Sequence, residues 1–137
     1  MALTVFRSKE QAVEFALRLI AAVIMVQTLF FKFTGAAESV YIFSRLGAEP
    51  FGRYATGIGE AIASVLLFIP RTKYIGAMMG AGMMAGAMAS HLFILGISIM
   101  DDGGELFSFA CIVFLCCSYL LLRGYQRKDI TLKPLYI

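Results

Sequence analysis

The sequence predicts an all-α integral membrane protein: a four-helix bundle with both termini on the cytoplasmic side and a short interfacial helix in the first outer loop. Three observations predict it. Of 137 residues, 60% are hydrophobic and 15% charged, against roughly 45–50% and about 25% in an ordinary soluble domain. So small a chain has much surface to cover and, as a soluble protein, too few polar groups to cover it. Four apolar stretches of spanning length occupy most of the chain, and the Lys and Arg residues between them are unevenly distributed.

The first span runs from about Ala12 to Phe33, centred on LIAAVIMVQTLFF. It falls within the roughly 17–25 residues a crossing needs. The small residues after it, Thr34-Gly35-Ala36-Ala37, suit a signal-peptidase site. Lys32 interrupts that pattern and the apolar run is long for a signal peptide, so the segment is expected to stay as a span. Residues 34–49 form the only long loop. Within it AESVYIFSRLG sets Val40, Tyr41, Phe43 and Leu46 among Glu38, Ser44 and Arg45, the pattern of an amphipathic helix lying in the outer interface and ended by Gly47.

The second span covers about 50–69. Pro50 opens it where a missing N–H costs nothing, and Pro70 cannot prolong it. The third covers about 74–100, long enough to tilt or project. Its IGAMMGAGMMAGAMAS run carries the small-xxx-small pairs Gly76/Gly80, Gly82/Gly86 and Gly86/Ser90. Helices in lipid associate by such close backbone approach, so this helix is expected at the centre, facing Gly57/Ala61 or Gly59/Ala63 of the second span. Met78, Met79, Met83, Met84 and Met88 read as gap-fillers rather than copper ligands. Asp101-Asp102-Gly103-Gly104 makes a turn into the fourth span, about 106–122, and a cytoplasmic tail follows over 124–137. Cys111, Cys116 and Cys117 lack the C-x-x-C spacing of a thiol oxidoreductase and read as packing residues.

Orientation follows from the basic residues near the span ends. One side holds Arg7, Lys9, Arg71, Lys73, Arg123, Arg127, Lys128 and Lys133; the other holds Lys32, Arg45 and Arg53 with five acids. The richer side is cytoplasmic.

Ionisable groups within a span are costly, so each asks for a partner or a purpose. Glu14 and Arg18, spaced i,i+4 with the acid first, are expected to form a structural ion pair near the cytoplasmic end. Lys32 ends the first span on the outer side, with Gln27 deeper. Glu60 lies about 15 Å into the second span, and His91 about 14 Å from the outer end of the third, at 1.5 Å per residue. The carboxylate and imidazole thus share a depth. Burial disfavours charge on either alone and pairing restores it, so a Glu60–His91 pair beneath Lys32 is expected to hold a proton, orient a quinone carbonyl or bind a small anion, or else to act as a polar clamp. No metal site, phosphate loop, serine-nucleophile motif, zinc-helix motif or basic-aromatic nucleic-acid groove is present.

Arg18, Phe-Phe-Lys-Phe-Thr-Gly at 30–35, the interfacial loop, Gly-Ile-Gly-Glu at 57–60 and His91 together resemble the DoxX family of small bacterial membrane proteins, over about residues 12–123. The motifs are short, and their order and spacing carry the likeness. The resemblance implies a four-helix protein of the inner membrane associated with redox systems, one branch being similar to the membrane subunit of thiosulfate:quinone oxidoreductase. It implies quinone as a non-covalent cofactor, and a larger membrane redox complex or a second copy of the chain as partner. Carried across by position, Arg18, Lys32, Glu60 and His91 are the residues of interest. Two further readings stand beside this one: a non-catalytic adaptor docking through the glycine-lined third helix, outer loop and basic tail, and a small proton-coupled transporter. Against the transporter, Glu14 lies near the interface rather than at the midplane.

Overall fold

Residues 2–34 contain neither proline nor glycine, and nothing there interrupts a helix. In the computed structural model, which describes residues 2–127 with side chains from residue 8 onward, this stretch is the single helix α1 (Ala2–Thr34). Gly35, at φ +68°, turns the chain into α2 (Ala37–Arg45). Glu38 in the first turn and Arg45 in the last of this short helix both complement its dipole. Next come α3 (Phe51–Phe68) and α4 (Lys73–Ser90), a π-helical turn over His91–Leu95, and α5 (Glu105–Gln126). Every element among the described residues is helical. Residues 128–137, most of the expected tail, lie outside them.

The four long helices close a ring in which α1 and α4 each pack on α3 and α5, while α2 lies across one end, touching α1, α3 and the π-turn. Small and flexible side chains fill the centre: Ala21 and Met25 of α1, Ala63 and Leu67 of α3, Ala77 of α4, and Val113 and Cys117 of α5. Gly76 shows why α4 is rich in small residues. A Cβ there would stand 2.8 Å from the Leu67 nitrogen and 2.9 Å from the Ala63 oxygen, both backbone atoms of α3. Gly80 meets the Cys117 thiol instead, and Gly57 faces Phe33 of α1 rather than α4. The glycines of α4 therefore serve two neighbours, and this helix is one member of the ring rather than its centre.

Three segments, Ser8–Thr34, Lys73–Leu95 and Glu105–Gln126, are long and apolar enough to cross a membrane. The outer surface is correspondingly apolar, with Phe30, Val65, Phe93 and Leu115 all exposed. Helix α3 is not among these three segments, because its 18 residues include Arg53 and Glu60. Both charges are buried, and every exposed position of α3 is Phe, Tyr, Ala, Ile or Val.

The third apolar stretch departs from the unbroken span expected over 74–100. Its α-helix stops at Ser90 and the π-turn ends at Gly96, whose N–H donates to the His91 carbonyl over 2.8 Å. Gly96 sits at φ +84°, a left-handed conformation that favours glycine and ends helices. The next eight residues form a return loop held by Asp102. Its carboxylate accepts from the backbone N–H groups of Ile99 at 2.9 Å, Gly104 at 2.8 Å and Leu106 at 3.2 Å.

Ion pairs tie the ring together at the end away from α2. Glu10 pairs with Arg123, and Glu14 with Arg127 and, at 3.7 Å, Lys73. The expected Glu14–Arg18 pair does not form. Arg18 instead donates from Nε to the Leu67 carbonyl at 2.6 Å, and its guanidinium lies 5.9 Å from the centroids of both the Phe15 and Phe68 rings. The last carbonyls of a helix have no partner within it. A guanidinium on the neighbouring helix satisfies one here, leaving Glu14 to cations from α4 and the end of α5.

Candidate functional site

At the α2 end the ring is hollow. A cavity of about 830 Å³ lies among α1, α3, α4 and α5 beneath α2, within the roughly 300–1,000 Å³ typical of small-molecule sites. Its walls are mostly apolar: Ile24 and Phe31 of α1, Met83 and Met84 of α4, and Leu106 and Phe109 of α5. Ile42 and Phe43 cover it from α2, so the apolar face of the amphipathic helix is turned onto the cavity.

A few polar groups interrupt this lining. Lys32, near the last turn of α1, places its ammonium 2.9 Å from the Glu60 carboxylate, with side-chain exposures of 12% and 4%. The Thr28 hydroxyl, one turn before Lys32, lies 2.8 Å from the Met25 carbonyl of its own helix and 3.1 Å from the same carboxylate oxygen, and shares its one proton between them. Two groups from α1 thus hold the one acid that α3 contributes. His91 lines the cavity from the start of the π-turn and is 4% exposed. Its Nδ1 lies 2.9 Å from the Gly96 carbonyl and its ring meets Phe107 edge-on at 5.6 Å. Asp102 also reaches the cavity. Burial pushes its carboxyl up, but the three backbone donors outweigh that and hold it below the ordinary carboxylate value.

Glu60 and His91 therefore line one cavity but are not bonded to each other. Each has a separate anchor, Lys32 and Thr28 for the acid and the Gly96 carbonyl for the imidazole. The expected direct pair is replaced by two separately anchored groups on the wall of one mostly apolar chamber. Gln27 lines the same cavity from an exposed position on α1. Glu14 and Arg18 belong to the opposite end and take no part.

No family model, curated protein or solved structure matches this chain. Its functional reading rests on its own residues.

Three contributors were not among the candidates drawn from the sequence. Thr28 lies four residues before Lys32, the spacing that puts two side chains on one helical face. Arg53 is 5% exposed. It grips Glu49 through Nε and Nη2 at 2.8–3.0 Å, donates to the Lys32 carbonyl and lies 4.5 Å from the Tyr54 ring centroid. As an ionisable group inside an apolar run it met the criterion that singled out Glu60. Asp102 carries its own signal in Asp102-x-x-Glu105, the acid-x-x-acid spacing common at helix starts.

Proposed function

We propose that this chain is a DoxX-like multi-pass protein of the bacterial inner membrane, serving a redox system as a quinone-linked subunit. The supporting observation is the chamber under α2. It is apolar and large enough for a quinone ring, with an ammonium–carboxylate station on one wall and an imidazole on another. A buried ion pair costs desolvation and is weak as a device for stability alone. Its position on the lining of a cavity favours a ligand-facing purpose.

In this reading α3 is the fourth crossing. Its charges are turned inward and its exposed positions are apolar, and 18 residues at about 1.5 Å each approach the roughly 30 Å hydrocarbon thickness. The excess of Lys and Arg at the chain ends and in the α3–α4 connection supports a cytoplasmic location for both termini, with the chamber in the outer half. The test is quinone carried through purification in mild detergent and quantified by extraction. Wild type should retain it, and Glu60→Gln, which disturbs the Lys32 station, should retain several-fold less. Equal traces in both would refute the reading.

One observation favours a second reading, an adaptor within a larger membrane complex. A Cβ at Gly82 would meet nothing within 4 Å, and this exposed glycine does not line the chamber, so that part of the small-residue face of α4 is unused by the ring. Gly82→Leu should then release a co-purifying partner while leaving the chain folded. Unchanged co-purification would count against the adaptor.

A further inference from the structure

The hydrogen bonding of His91 restricts which ligand the chamber can satisfy. A carbonyl oxygen only accepts, so the 2.9 Å contact between Nδ1 and the Gly96 oxygen requires the ring proton on Nδ1. In the neutral imidazole the other nitrogen, Nε2, is then an acceptor. Among the described residues nothing donates to Nε2, although the residue is 4% exposed and lines the cavity. The opposite station has different chemistry. Lys32 is a donor with three N–H groups, one of which faces Glu60 at 2.9 Å. The chamber therefore presents a donor at Lys32 and an unmet acceptor at His91.

A benzoquinone has only carbonyl acceptors. It can take a hydrogen bond from Lys32, but it offers Nε2, which opens on the chamber, no donor. A hydroquinone hydroxyl both accepts and donates, so one ligand can answer both stations. We propose that the chamber binds the hydroquinone form in preference to the quinone, with one hydroxyl oxygen accepting from Lys32 and a hydroxyl proton donated to Nε2 of His91. The selectivity rests on the quinone-linked reading above and specifies which oxidation state the site holds. Phe107, edge-on to the imidazole at 5.6 Å, and the bond to Gly96 keep the ring from turning its donor toward the ligand.

The experiment titrates decyl-ubiquinol, kept reduced under anaerobic conditions, and decyl-ubiquinone into nanodisc-embedded protein, with empty nanodiscs subtracted. Wild type should bind the reduced form up to about tenfold more tightly, the scale of one net hydrogen bond gained. His91→Asn places an amide N–H where Nδ1 lies, so the bond to Gly96 survives while the ligand-facing acceptor is lost. In this variant the affinity for the reduced form should fall to that for the quinone, and the preference is lost. His91→Gln, whose amide reaches the Nε2 position, should recover part of it. Equal binding of both forms by wild type, or a preference that persists in His91→Asn, overturns the inference while leaving the quinone-linked reading intact. Binding of neither form overturns both.

Discussion

The Lys32 ammonium lies 2.9 Å from the Glu60 carboxylate, joining the end of α1 to the middle of α3 at the wall of the chamber. Removing one member of such a pair leaves an unmatched charge where water is scarce, at a cost of about 3–5 kcal/mol. Removing both costs far less, since apolar replacements of similar volume are often neutral or better. Lys32→Met and Glu60→Leu should each lower unfolding stability in detergent strongly, and the double variant should recover most of the loss. Additive losses would mean that the two side chains do not depend on each other.

Asp102 predicts a pH dependence. Its carboxyl is held below the ordinary value by three backbone N–H donors despite partial burial. A group whose folded pKa is lowered contributes stability that is fully present above its unfolded value, about 3.9, and is lost as pH falls through the lower folded value. Thermal unfolding followed from about pH 6 down to about pH 3 should show an acid-side decline in wild type. The decline should be shallower in Asp102→Asn, which has no proton to gain. Because Asp102 holds the loop after Gly96, the same variant should also loosen the backbone that anchors His91, seen as faster amide exchange at Ile99 and Gly104.

What could be read from the sequence, and what could not, follows the distance over which each feature is decided. The ends of α3 were legible because Pro50 and Pro70 act through their own backbone, and α2 because its apolar and polar residues alternate locally with helical period. The break at Ser90 was not. Through Met100 the hydropathy continues unchanged, and only the left-handed turn at Gly96, bonded back to His91, ends the helix. Glu14 and Arg18 show the commoner difficulty. Their i,i+4 spacing made them neighbours, but both side chains reach other helices, and the open carbonyls at the end of α3 decide where Arg18 goes. Glu60 and His91 line one chamber but do not form the pair their shared depth suggested, and their partners Thr28 and Gly96 depend on helix rotation and loop geometry that spacing does not encode.

The partner exchange at the other end of the bundle is measurable. Glu14 pairs with Arg127 and lies 3.7 Å from Lys73, while Arg18 binds the Leu67 carbonyl. A double-mutant cycle with Glu14→Gln and Arg127→Gln should give a coupling energy in the range of about 0.5–3 kcal/mol expected for residues in one network. The cycle of Glu14→Gln with Arg18→Gln should give a smaller value. The reverse order would restore the intrahelical pair.

Two glycines on one helix predict opposite outcomes for the same substitution. At Gly76 an added Cβ would meet backbone atoms at 2.8 and 2.9 Å, and backbone cannot swing aside as a side chain does. Gly76→Ala must push α3 and α4 apart, an overpacking cost of about 1–3 kcal/mol. At Gly82 the space is open, and the methyl group only restricts the unfolded chain and favours the helix, a gain of roughly 0.5–1 kcal/mol. Unfolding of both variants in the same detergent should therefore move in opposite directions from wild type. A destabilising Gly82→Ala would show that this face of α4 is covered in the solubilised protein, as self-association through the small-residue stripe would do.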